Sequence, residues 1–76
     1  MNLLRRKRIT IAVVDQISRQ LNNPLLSNPD FIRGIFDGVC KVLKENPSEK
    51  DKRRIFEHIY AECEARCWRA AQAIGA

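Results

Sequence analysis

The side chains best equipped for chemistry are few and scattered. His58 is the single histidine, and the cysteines are Cys40, Cys63 and Cys67. At helical spacing His58 points away from Cys63 and Cys67, so no base sits beside a nucleophile. The chain carries no glycine-rich phosphate loop, no Gly-x-Ser-x-Gly elbow and no His-Glu-x-x-His. Acids such as Glu57 and Glu64 alternate with arginines, as on a solvated face. A helical domain this small also has little room for a substrate pocket. We therefore expect no enzyme, no catalytic residue and no cofactor.

The thiols have two readings. Cys63 and Cys67 are four residues apart and, with Cys40, would supply three zinc ligands. No fourth ligand falls on that face, and buried cysteine behaves as a small hydrophobe. Core thiols without metal are the expectation. An odd number of cysteines, with no visible signal peptide, fits a reducing cytoplasm. No run approaches the roughly 20 apolar residues of a membrane span.

Binding chemistry is better represented. Arg5, Arg6, Lys7 and Arg8 are four consecutive cations. Such a run contacts phosphates in a salt-sensitive, sequence-independent way. Its alternative is a solvated tail that aids solubility. Net charge is +5, and the excess lies in the first 22 residues. Lys50, Lys52, Arg53 and Arg54 form a second cluster, diluted by Glu49, Asp51 and Glu57.

Trp68 is unusual in type and place. It falls on the polar side of its helix, with Ala61, Ala65 and Ala71 nearby. Small residues around one large aromatic make an apolar strip, and tryptophan is enriched in binding hot spots. Either another part of the chain covers it or a partner does. Gly34 and Gly38, four apart within a helix, cost about 0.5–1 kcal/mol each relative to alanine. They imply a close approach, by another helix of this chain, by a second subunit or by aromatic rings.

Three helices must position these groups. Ile9, Val13, Ile17 and Leu21 recur every four residues, predicting a helix over about 7–22. Residues 1–7 then form a basic, flexible arm. Asn28-Pro29-Asp30 is a helix start, and Pro47 sets the end near Glu45. Arg33, Asp37 and Lys41 should form an i,i+4 ladder on its outer face. Ser48-Glu49-Lys50-Asp51 opens a third helix that runs to residue 74, with Ile74 closing its apolar stripe. Phe31, Ile35, Val39, Ile55, Phe56, Ile59 and Cys63 are the expected core.

The fold class is therefore all-α. We expect a single three-helix domain over residues 1–76, built on an antiparallel hairpin of the second and third helices. Function is expected to be regulatory or accessory, through a protein partner or a homodimer. Trp68, Ala61, Ala65, Gly34 and Gly38 would form the interface, and nucleic acid held by Arg5–Arg8 is the alternative.

Overall fold

The computed structural model describes residues 1–24 and 27–75, with side chains inside α3 described as far as Ala73. It is all-helical among those residues: α1 spans Leu3–Gln20, α2 spans Pro29–Leu43 and α3 spans Glu49–Gly75. The stripe position assigned to Ile74 lies outside the described side chains.

Helix α1 begins four residues earlier than its periodicity predicts. The signal is Asn2, whose side-chain oxygen accepts from the Arg5 backbone N–H at 2.9 Å. The first turn then holds no acid of its own, an unfavourable match to the positive end of the helix dipole. Acids from elsewhere in the chain offset it, as described below. The stretch expected as a free arm is thus the opening of α1.

Helix α2 starts as expected. Asn28 caps it by accepting from the Phe31 N–H at 2.7 Å, and Pro29 occupies the first turn. It ends at Leu43, two residues short of the expected Glu45. Lys44 adopts the left-handed conformation (φ 56°, ψ 40°). The Glu45 N–H then donates to the Cys40 carbonyl at 2.9 Å and the Lys44 N–H to the Lys41 carbonyl at 3.3 Å. This pair of bonds is a Schellman motif, with lysine where glycine is usual. Helix α3 is opened by Ser48, whose oxygen accepts from the Asp51 N–H at 3.2 Å while its hydroxyl donates to the Asp51 carboxylate at 3.0 Å.

The close backbone approaches are α1 against α3 and α1 against α2. Helix α1 is the element both others pack on. Its contacts with α3 advance along both helices: Arg6 reaches Asp51, and Asp15 meets Arg66 at 2.9 Å. The two helices therefore run the same way. Helices α2 and α3 touch through the rings of Phe36 and Phe56, 4.9 Å apart. The molecule is 41 Å along its longest axis, close to the roughly 40 Å that 27 helical residues span.

The core consists of Ile9, Val13, Val14 and Ile17 from α1, Ile32, Phe36 and Cys40 from α2, and Ile55, Ile59 and Cys63 from α3. Of the expected core, Ile55, Ile59 and Cys63 are buried. Phe31, Ile35, Val39 and Phe56 are only half-buried at its margin. Helix α2 is rotated by about one residue from the expected orientation, because its apolar face is wider than α1 can cover.

Candidate functional site

The basic run is divided by the fold. Arg5 donates to both carboxylate oxygens of Glu45, from Nε at 2.9 Å and Nη2 at 3.0 Å. This fork-to-fork geometry is the strong form of an ion pair. Hydrogen bonding and the charge of Arg5 hold the Glu45 carboxyl below the usual carboxylate range. Arg6 donates to the Met1 carbonyl at 3.1 Å and lies 3.6 Å from Asp51. Burial pushes the Asp51 carboxyl up, but the Ser48 hydroxyl, the amino terminus and Arg6 together bring it below its ordinary value. Lys7 and Arg8 are exposed, and neither has a carboxylate within 4 Å among the described residues. Two of the four expected phosphate contacts are therefore committed to joining helices.

The thiols do not form a ligand set. Among the described residues no group of three His, Cys, Asp or Glu side chains is placed to hold a metal ion. Cys40 and Cys63 are buried, and burial pushes both thiols up. Cys67 is half-buried and donates to the Asn23 side-chain oxygen at 3.1 Å. His58 is exposed, beside Lys7 and Ile11 across the α1–α3 seam.

Trp68 is 66% exposed. It lines an open hollow of about 620 Å³ with Ala61, Ala65, Cys67 and Glu64. Trp68, Ala61 and Ala65 line that one hollow, and none of the described residues covers the indole. Tyr60 is 44% exposed.

Gly34 and Gly38 have no close neighbour: a methyl group built on either meets nothing within 4 Å. Among the described residues, the close approach expected of them is not made. Gly38 instead lines a groove of about 400 Å³ between α1 and α2, with Ala12, Gln16, Ile35, Val39, Val42 and Leu43. Sequence reasoning missed this groove, because it exists only once α2 has turned Ile32, Phe36 and Cys40 inward. Val42, 81% exposed, is its outer lip. The expected ladder is also different: Arg33 turns to Asp30 at 4.0 Å, and no Asp37 pair is made among the described residues.

No family model, curated protein or solved structure matches this chain.

The arrangement offers two apolar faces, one on α3 and one between α1 and α2. No described helix is long and apolar enough to cross a membrane.

Proposed function

We propose that this chain is a non-enzymatic regulatory or accessory protein of the cytoplasm that works through protein–protein contact and associates with itself. In this reading α2 and α3 form an antiparallel hairpin packed on α1, and the two apolar faces are the contact surfaces. The observation that carries the protein–protein contact is Trp68, 66% exposed over a hollow it lines with Ala61 and Ala65. Fully burying a large apolar side chain is worth about 1.5–3 kcal/mol, which a protein of this size rarely leaves unused. Tryptophan set among small residues is also the composition of an interface centre.

Light scattering after size exclusion at high concentration tests the self-association. We expect a mass above one chain and a blue shift of Trp68 emission when a partner binds. A strict monomer with unchanged emission in the presence of host extract would sink the reading.

A second reading is nucleic-acid binding. The exposure of Lys7 and Arg8, with Lys50, Arg53 and Arg54 also exposed, favours it; the commitment of Arg5 to Glu45 weighs against it. Gel-shift titration at two salt concentrations distinguishes the two, because phosphate contacts weaken steeply with salt.

A further inference from the structure

We propose that the groove between α1 and α2 seats a second copy of this chain, docked α2 against α2 in antiparallel register. The proposal rests on the self-association argued above and gives it a face and a geometry. The groove is apolar, open and lipped by Val42, 81% exposed. Gly34 and Gly38 beside it let a partner backbone come close, since among the described residues no atom outside their own helix backbone lies within 4 Å of a Cβ built on either.

Charge selects the second copy as occupant. The chain carries +5 overall, so two copies repel unless they meet at a neutral element. Helix α2 is that element: Asp30 and Asp37 balance Arg33 and Lys41. Asp30 and Lys41 are eleven residues apart, three helical turns, and so share one flank of the helix next to Gly34. In an antiparallel pair related by a twofold axis, equivalent flanks meet. Setting Gly34 opposite Gly38 of the second copy places Asp30 one residue from Lys41 of that copy, twice over. The same register sets Val42 one residue from Phe31 of the other chain. Asp37 lies toward α3, on a hollow it lines with Glu49, Lys52 and Arg53.

Both charges are available. Asp30 is 95% exposed, with only Arg33 at 4.0 Å, and Lys41 has no carboxylate within 4 Å among the described residues. The Trp68 face lacks this self-complementarity. Pairing it with itself, Ala61 opposite Trp68, brings the two copies of Glu64 together across the axis. That face suits a different protein.

One 15-residue helix and its groove make a small interface, so a weak, concentration-dependent dimer is expected. Sedimentation equilibrium of the full chain, from about 5 to about 500 μM, tests it. Val42→Arg should weaken the dimer at least tenfold, with helicity unchanged, while Trp68→Ala should leave it intact. Asp30→Lys and Lys41→Asp should each weaken it several-fold, and an equimolar mixture of the two should recover dimer. The mixing arm uses only the two single variants, so it decides even if Val42→Arg fails to fold. A Val42→Arg protein as dimeric as the parent overturns the face and leaves self-association standing. Failure of the mixture to recover overturns the register. A parent chain monomeric throughout overturns both this proposal and the self-association beneath it.

Discussion

Gly34 and Gly38 each forgo a methyl group for which the structure has room. A glycine in a helix interior pays backbone entropy that alanine does not. Nothing within 4 Å of either position would clash with a Cβ. Gly34→Ala and Gly38→Ala should therefore each raise the stability of the monomer by roughly 0.5–1 kcal/mol, measured by urea unfolding at low micromolar concentration. A loss of stability would mean that something already occupies that face. The sequence shows that these two positions are costly for a helix. It does not show that the space beside them is empty, because that depends on which side of α2 turns toward α1. Trp68 is different: its polar-side position was legible from spacing alone. Its exposure was not, since it turns on how far α1 reaches along α3.

At the scale of the helices, caps were more legible than rotations. Asn28, Pro29 and Ser48 mark starts that the structure reproduces, because a cap is a local bond between residues three apart. Asn2 is an equally local signal, masked by the absence of an acid in the first turn. The stop at Leu43 depends on Lys44 entering a conformation that lysine seldom adopts, and the residue type gives no warning of it. The rotation of α2 is the least legible feature. Eight apolar residues cover about half its circumference, so periodicity allows either Ile32–Phe36–Cys40 or Phe31–Ile35–Val39 to face inward. The position of α1 decides for the first set. Phe36, 1% exposed, should then be indispensable. Phe36→Ala should cost about 3–5 kcal/mol, a large part of the roughly 4–11 kcal/mol expected for a chain of this length. Val42→Ala, on the open lip of the groove, should stay within about 0.5 kcal/mol. Thermal unfolding by circular dichroism compares them, and equal costs would place α2 in the other rotation.

Across the whole molecule, one corner ties all three helices together. The start of α1, the end of α2 and the first turn of α3 meet there through Arg5–Glu45 and Arg6–Asp51. The sequence presents Arg5 and Arg6 as part of a cationic run suited to phosphate. Their partners lie forty or more residues away, where no spacing rule reaches. The corner makes stability depend on acid. Glu45 and Asp51 both sit below their ordinary values in the folded state, against about 4.3 and 3.9 when unfolded. Groups depressed in this way stabilise the fold fully above their unfolded values. That contribution is lost as pH falls through the folded values. Stability should thus hold from neutrality to about pH 5 and decline below it. Glu45→Gln removes one of the two groups. It should lower stability at pH 7, flatten the decline below pH 5, and bring the parent and variant curves together once acid has protonated Glu45 in the folded state as well. Denaturant midpoints followed across that range measure the effect. A difference that stays constant with pH would mean that Glu45 contributes by packing, and that the Arg5 fork adds nothing as an ion pair.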